Sequence, residues 1–409
     1  MGFFQNRFLE EKYSILNRKI PKRFLPPILI LLAAKIAGAF LVYSILDIGD
    51  LGTFWMDPNR VLNLDQNQVL FENLSTTPNW AYTFVGWDSA WYLSILTKGY
   101  EFSSQSYAFS PMLPFLGRIF NLLFQNPIIS LVVCSLIFGV LWIPFYQLVA
   151  ENYMSKSKAL FSALIFGLSP YVFLFTTVGY TEGFFLFVTL SSWHYYKMNK
   201  IGFASVFAAI STLTRIYGVF ITLPFLVASI FKKKTQKTYW FAFSLLPILA
   251  LIAWLIYCKI TANDFLAFMH ANEWSSMYTL RTLIAEGLPE KGIAVFQDAF
   301  QNITAPIVWL TPYAVIFAIV APAFLMLRAW KMDKLLAVYF LVSYLGILMT
   351  GALVSLPRYV SGLFPVWILI AGFIPVNRKT TVLLVAGFVL SVIIGLGLWI
   401  DFLNGKFVA

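Results

Sequence analysis

Apolar stretches of about 20 residues, the length of helix that crosses a hydrocarbon core of roughly 30 Å, recur along almost the whole chain. Of its 409 residues, 60% are hydrophobic and 11% are charged, whereas soluble domains have about 45–50% apolar and about 25% charged residues. No soluble fold buries so large an apolar fraction. The pattern therefore predicts an all-α polytopic membrane protein, with residues 1–409 forming a single integral membrane domain.

The hydropathy pattern predicts about ten or eleven transmembrane helices. They are placed at 27–47, 128–150, 159–177, 183–197, 201–214, 216–231, 240–259, 304–327, 335–354, 360–375 and 380–400. The fifth and sixth are interrupted at Thr214-Arg215-Ile216-Tyr217-Gly218, which predicts two half-helices or one tight hairpin. A polar break of this kind is tolerated only where it is buried in protein or lines water.

The distribution of basic residues predicts the orientation. With segment 1–26 in the cytoplasm, nineteen of the 29 Lys and Arg residues lie before the first span or in inner loops, as the positive-inside rule requires. Orientation explains the net charge of +11 better than nucleic-acid binding, which needs a basic face on a folded domain. We therefore expect membrane lipids and no nucleic acid as partners. The membrane is the endoplasmic reticulum in a eukaryote and the plasma membrane in a prokaryote.

Two outer segments are too long to be simple connections: 48–127, and 260–303. Long loops in compact proteins are usually functional. Both contain aromatic, partly amphipathic runs, at 87–100 and 265–278, which we expect to form helices lying along the membrane interface. The outer face is therefore the predicted working face of the protein.

The sharpest motif in the first outer loop runs from Gly86 to Tyr92 and reads Gly-Trp-Asp-Ser-Ala-Trp-Tyr. If a helix begins at Asp88, Trp91 and Tyr92 lie three and four positions later on the same face. A carboxylate suits a general base, and Trp87, Trp91 and Tyr92 offer flat rings to the apolar side of a sugar. The alternative is that Asp88 only caps the helix and that the aromatic residues form an interfacial belt.

Three further charged residues are candidates. A charge within or beside a span is costly unless it meets an opposite charge or water, and such charges commonly mark functional sites. Glu182 precedes the fourth span and could orient an acceptor or bind a cation; alternatively it complements that helix dipole. Arg215 in the broken pair and Arg358 outside the ninth span suit the oxygens of a lipid phosphate. For Arg358 the alternative is a snorkelling or helix-pairing role.

The histidines and the cofactor-binding motifs add only one candidate site residue. His270 in the second outer loop is a candidate for acceptor or phosphate contact, although a solvated loop histidine is the simpler interpretation. Neither His194 nor His270 has a partner at metal-ligand spacing, so no metal site or cofactor is predicted. A divalent cation between Asp88 and Glu182 is conceivable but not expected. Glycine-rich nucleotide loops are absent from the sequence, so a sugar donor must arrive through the membrane.

Four segments resemble, in order, the PIG-V type of mannosyltransferase, which adds the second mannose in GPI-anchor assembly. They are Trp87-Asp88-Ser89 with Tyr92, Gly99-Tyr100 and the segment 109–114; Ser169-Pro170 with Tyr180-Thr181-Glu182; Thr214 to Gly218; and Pro357-Arg358-Tyr359 with Phe364-Pro365. The similarity extends from about residue 80 to about residue 370. Ile216 and Tyr217 replace the Ser-Asn of that family, and Ser110 stands where it has a second Phe, which leaves the acceptor open.

The resemblance implies a bundle of the GT-C glycosyltransferase type, with interfacial helices in its outer loops. It also implies a polyprenyl- or dolichyl-phosphate sugar donor, usually mannose, an acceptor that is lipid-linked or a glycan, and a catalytic acid in the first outer loop. Asp88 matches that acid. Two other classes stay open at this point: a transporter or flippase of lipid-linked sugars, and a non-catalytic subunit of a glycosylation complex.

Overall fold

The computed structural model describes residues 22–46, 76–271, 311–350, 355–375, 378–404 and 408. These residues are predominantly helical and contain no strand, which confirms the predicted all-α class. Helices α1 to α8 are Leu25–Ile45, Asp88–Lys98, Met112–Phe124, Pro127–Ala150, Lys156–Leu168, Pro170–Phe175, Glu182–Lys197 and Ile201–Thr214. Helices α9 to α17 are Thr222–Ile230, Lys234–Ser244, Leu246–Ala262, Ala267–His270, Thr311–Met332, Lys334–Thr350, Leu356–Ser361, Phe364–Phe373 and Arg378–Leu403.

Four helical stretches within the described ranges are long and apolar enough to cross a membrane. They are Leu25–Ile45, Pro127–Ala150, Lys234–Ala262 and Val385–Leu403. Shorter apolar helices, among them α8, α14 and α16, occupy other predicted spans. The chain is therefore a polytopic membrane protein, and the count of ten or eleven spans stays a prediction.

The predicted third span, 159–177, is not one helix. α5 ends at Leu168, Ser169 is extended, and α6 begins at Pro170. The residue before a proline is pushed out of the helical conformation, and the proline ring removes a backbone donor. α6 then ends at Phe175, and a non-helical segment of six residues, Thr176 to Thr181, precedes α7.

The predicted interruption between the fifth and sixth spans is present. α8 ends at Thr214, Arg215 is extended with φ −151° and ψ 134°, and a 3-10 helix begins at Ile216 before α9. Gly218 allows the chain to fold back tightly, since a Cβ there would lie 2.3 Å from the carbonyl carbon of Ser211. The elbow therefore directs the Arg215 side chain into the protein.

Glycines set the crossing of the two central helices, α4 and α7. A Cβ on Gly183 would lie 2.8 Å from the backbone nitrogen of Gly139, so neither position has room for a side chain. Small residues let membrane helices approach closely. This crossing fixes the beginning of α7, and with it Glu182, against the wall of the bundle. The loop helices α2 and α3 pack on α4.

Candidate active site

Four charged side chains from distant parts of the chain meet at one end of the bundle, the outer end in the predicted orientation. Glu182 is the first residue of α7, and its Oε1 accepts hydrogen bonds from Nη1 of Arg215 at 2.6 Å and from Nε and Nη2 of Arg358 at 2.7 and 2.6 Å. Nη1 of Arg358 also lies 3.5 Å from Oδ2 of Asp88. The sequence named all four residues, and the structure brings them into one cluster.

Asp88 is held in this cluster by its backbone. It is the first residue of α2, and its N–H donates to the hydroxyl of Tyr180 at 3.0 Å. The preceding residue, Trp87, has φ +50° and ψ −118°, a conformation that costs energy in a non-glycine residue and that clusters at functional sites. Its indole Nε1 donates to the carbonyl oxygen of Phe402 at 3.1 Å. Trp87 therefore occupies the cap position, and the carboxylate of Asp88 is directed toward Arg358.

The loop aromatic residues are more buried than the sequence suggested. Trp91 is 8% exposed and stacks on Phe109, with ring centroids 5.5 Å apart. Tyr92 is 6% exposed and meets Phe109 and Tyr180 edge to face. Both rings help to fix α2 against the protein. Their predicted contact with a sugar stays a prediction.

Aromatic rings also fix the two guanidinium groups. The Arg358 guanidinium carbon lies 4.2 Å from the ring centroid of Phe175 and 4.8 Å from that of Tyr180. The Arg215 guanidinium lies 5.2 Å from the ring of Tyr359. A planar guanidinium stacks well on such faces. Both cations are therefore positioned before any ligand arrives, which suits them to bind an anion.

Exposure distinguishes Asp88 from the other three. Its side chain is 28% exposed, against 9% for Glu182, 16% for Arg215 and 8% for Arg358. Burial raises the pKa of the Asp88 carboxyl above its ordinary value, although the charge of Arg358 opposes the shift. A carboxylate with a raised pKa and access to solvent is well suited to accept a proton.

A partly enclosed pocket borders Glu182, Arg215 and Arg358. The rest of its lining is mainly apolar and aromatic, with Tyr217 and Tyr359 beside the arginines. Two arginines and one carboxylate leave one net positive charge at this place, and with apolar walls elsewhere the pocket matches a ligand with an anionic head and an apolar chain.

The donor set does not fit a divalent cation. In the described part of the chain, no three His, Cys, Asp or Glu residues gather as metal ligands would. Glu182 already binds Arg215 and Arg358 through Oε1, and two guanidinium groups at hydrogen-bonding distance repel a metal ion.

His270 lies outside the cluster. It is the last residue of α12, its side chain is 58% exposed, and its Nδ1 is 2.6 Å from Oδ2 of Asp264. That hydrogen bond lowers the pKa of Asp264. The structure thus places His270 in a local, exposed ion pair, and residues 272–303 of the second outer loop lie outside the described residues.

Three supporting residues have little or no signal in the sequence. Tyr180 appeared only as part of a family-like motif, and Phe175 looked like one more apolar residue of a span. Phe402 has no local signal, since it lies 315 positions from the Trp87 that it binds. Trp399 near it donates its indole N–H to the carbonyl oxygen of Thr83 at 2.8 Å. The end of α17 therefore supports the loop that carries Asp88.

No protein-family model and no curated protein sequence matches the chain. The chain does resemble solved structures of an oligosaccharyltransferase from Archaeoglobus fulgidus. One, in complex with Zn and sulfate, is 14% identical, with a TM-score of 0.43, over 91% of this chain and 53% of that one. A second, tethered to an acceptor peptide, is 13% identical, with a TM-score of 0.44, over 92% and 55%.

A third structure, of AglB with an inhibitory peptide and a dolichol-phosphate, is 12% identical, with a TM-score of 0.42, over 92% of this chain and 56% of that one. The chain thus spans about half the length of the solved structures that it resembles. Similarity at this level identifies neither the family of the chain nor its reaction.

Proposed function

We propose that the protein is a membrane glycosyltransferase of the GT-C type that transfers a sugar from a polyprenyl- or dolichyl-phosphate carrier to a hydroxyl acceptor on the outer face. One observation carries this proposal. Asp88, Glu182, Arg215 and Arg358 belong to four separate segments that resemble PIG-V mannosyltransferases, and they meet within hydrogen-bonding distance.

In the proposed reaction, the Asp88 carboxylate accepts the proton of the acceptor hydroxyl. The acceptor oxygen forms a bond to the anomeric carbon while the bond from that carbon to the phosphate oxygen breaks. The electron pair of the broken bond leaves with the polyprenyl phosphate, whose charge Arg215 and Arg358 stabilise. Because attack and departure occur on opposite faces of the sugar, the product has inverted configuration.

Glu182 acts on the arginines in this mechanism. Its Oε1 accepts hydrogen bonds from both Arg215 and Arg358, so this oxygen has no capacity left for a proton. A carboxylate shared by two guanidinium groups holds them at a fixed separation. Because the Glu182 side chain is 9% exposed and holds both guanidinium groups, whereas that of Asp88 is 28% exposed, we assign Glu182 to the positioning of the phosphate-binding pair and Asp88 to proton transfer.

The finer identity of the substrates follows only from the resemblance. We propose mannose as the sugar and a lipid-linked or glycan hydroxyl as the acceptor. Ile216 and Tyr217 replace the Ser-Asn of the PIG-V type, and Tyr217 lines the pocket beside Arg215, so the acceptor stays open within these classes.

The test is transfer of radiolabelled mannose from polyprenyl-phosphate-mannose to a panel of lipid and glycan acceptors, with the full chain in lipid vesicles. We expect a product with inverted anomeric configuration and activity that persists with a chelator. Movement of the labelled lipid between leaflets without transfer would replace the proposal by a flippase. Chelator-sensitive transfer would overturn the metal-independent mechanism.

A further inference from the structure

A lysine lies in the middle of the first apolar helix. Lys35 is the eleventh of the 21 residues of α1, and it is 2% exposed. Its Nζ donates hydrogen bonds to the carbonyl oxygen and to the hydroxyl oxygen of Thr176, both at 2.7 Å. No carboxylate among the described residues forms an ion pair with it. A buried charge at this depth is costly and therefore points to a function.

The partner of Lys35 lies where a helix ends inside the bundle. α6 stops at Phe175, and Thr176 begins the non-helical segment before α7. Carbonyl groups at a helix end lack their usual backbone donors, and no water replaces them in an apolar setting. The Thr176 hydroxyl donates to the carbonyl oxygen of Val172 at 2.6 Å. Two acceptor oxygens of Thr176 therefore face one amino group, which has at least two donors whether it is charged or neutral.

The segment that Lys35 binds, Thr176 to Thr181, contacts the loop that leads to Asp88 and directly precedes Glu182. The backbone N–H of Gly179 donates to the carbonyl oxygen of Phe84 at 2.8 Å, close to the start of α2. The hydroxyl of Tyr180 accepts the N–H of Asp88. The residue that follows the segment is Glu182. One fixed end of this segment therefore sets the positions of the proposed base and of the carboxylate that holds the arginines.

Packing leaves this fixed end no freedom. A Cβ on Gly139 of α4 would lie 2.0 Å from the carbonyl oxygen of Thr176 and 3.3 Å from Nζ of Lys35. The carbonyl oxygen of Thr176 thus lies close between α4 and the amino group of Lys35. An apolar side chain at position 35 would leave both oxygens buried without a donor, which is unfavourable.

We propose that Lys35 is a positioning residue of the active site: by binding Thr176, it holds the segment 176–181 so that Asp88 and Glu182 keep their places. This inference rests on the proposed transferase function. Lys35 touches no substrate, and it acts through Tyr180 and Glu182.

The test compares Lys35→Met, which keeps the length of the side chain but removes its donors, with Ile36→Met on the lipid-facing side of the same helix, where the residue is 62% exposed. Full-length protein in vesicles is assayed for kcat, KM and pH dependence, and amide hydrogen exchange is measured in the peptide covering 176–182. We expect kcat/KM to fall at least about tenfold and exchange to accelerate about tenfold in Lys35→Met. Ile36→Met should change both by less than about twofold.

Thr176→Val keeps the carbonyl acceptor and removes the hydroxyl, so it should give a smaller loss of kcat/KM, about threefold. If Lys35→Met does not accumulate, Thr176→Val tests the positioning role of Lys35. A purely structural role would reduce only the amount of folded enzyme, whereas positioning also shifts KM and the acid limb of the pH profile. Unchanged kcat/KM and unchanged exchange in folded variants would overturn the inference. If Lys35→Met exchanged faster but the wild type transferred no sugar, the fixing of segment 176–181 by Lys35 would be supported and the proposed function rejected.

Discussion

Two charged clusters, one at each end of the bundle, differ in how completely their carboxylates are hydrogen-bonded. At the predicted inner end, Asp333 lies between α13 and α14. Its Oδ1 accepts the N–H groups of Leu335 and Leu336, and its Oδ2 accepts from the Tyr153 hydroxyl at 3.0 Å and from Lys197 Nζ at 2.5 Å. Both carboxylate oxygens are satisfied, and one charge balances the other.

The outer cluster uses similar groups differently. Glu182 also lies at the start of a helix, but its Oε1 takes every hydrogen bond and its buried Oε2 has no partner in the described structure. Asp88 keeps only a 3.5 Å contact to Arg358 and is partly exposed. A position at a helix start therefore does not separate the two clusters. Incomplete hydrogen bonding and the partial exposure of Asp88 do.

The largest difference between the clusters should appear on removing one charge from each. Asp88→Asn keeps the size of the side chain and removes the base, so we expect transfer to fall about 10³-fold, within the usual contribution of a general base. Asp333→Asn should leave transfer within about threefold and lower the free energy of unfolding by about 1–2 kcal/mol, because it weakens a partly buried charged hydrogen bond. Initial rates and thermal unfolding followed by gel filtration measure the two effects.

Equal activity losses in the two variants, at equal amounts of folded protein, would show that the outer cluster is as structural as the inner one.

A second difference should appear when one cation of each cluster is replaced by glutamine. Arg358→Gln removes a phosphate-binding group and leaves Glu182 with one partner, so we expect kcat/KM for the lipid-phosphate donor to fall about 100-fold. Lys197→Gln should change kcat/KM by less than about threefold, since Lys197 pairs with Asp333 and neither residue lines the pocket. Steady-state kinetics with varied donor concentration make the comparison. A loss confined to kcat, with donor KM unchanged, would show that Arg358 stabilises the transition state but not the bound donor.

The two clusters should respond to acidification at different pH values. Burial raises the pKa of Asp88, and a base works only when deprotonated, so activity should fall as pH drops through a value above the ordinary Asp value of about 4. For Asp333, burial acts to raise the pKa, but the hydrogen bond and charge of Lys197 outweigh it and lower the pKa.

The contribution of Asp333 to stability is therefore complete above its unfolded pKa, and it is lost only as pH falls through the lowered folded value. Activity should disappear on acidification before the inner pair opens. Rates and melting temperatures measured across the same pH series test this order. A melting temperature that falls in parallel with the rate would contradict it.

The fold could be predicted further than the site. Apolar stretches gave the helices, and the polar break at Arg215 was correctly placed because a charge there cannot lie in a continuous lipid-facing helix. The split at Pro170 was missed, although a proline after an extended serine is a local signal. Lys35 was missed as well, although a lone charge in the first span falls under the same rule that selected Arg215.

The contacts of the site could not be read from the sequence. Asp88 and Arg358 are separated by 270 positions, and no local periodicity brings them together. That meeting depends on how α7, α8 and α15 pack. The shared use of one Glu182 oxygen by two arginines is a consequence of this packing, so the sequence could name candidates for the site but not their division of labour.

The smallest effect is expected at His270, which tests the boundary of the outer cluster. His270 pairs with Asp264 in an exposed position, and exposed ion pairs contribute little. His270→Ala should therefore change kcat/KM by less than about twofold and leave the melting temperature nearly unaltered. The matched control is Asp264→Ala, which breaks the same pair from the other side and should behave alike. If only His270→Ala lowered kcat/KM, the imidazole would have a role in substrate contact, and the site would extend into the second outer loop.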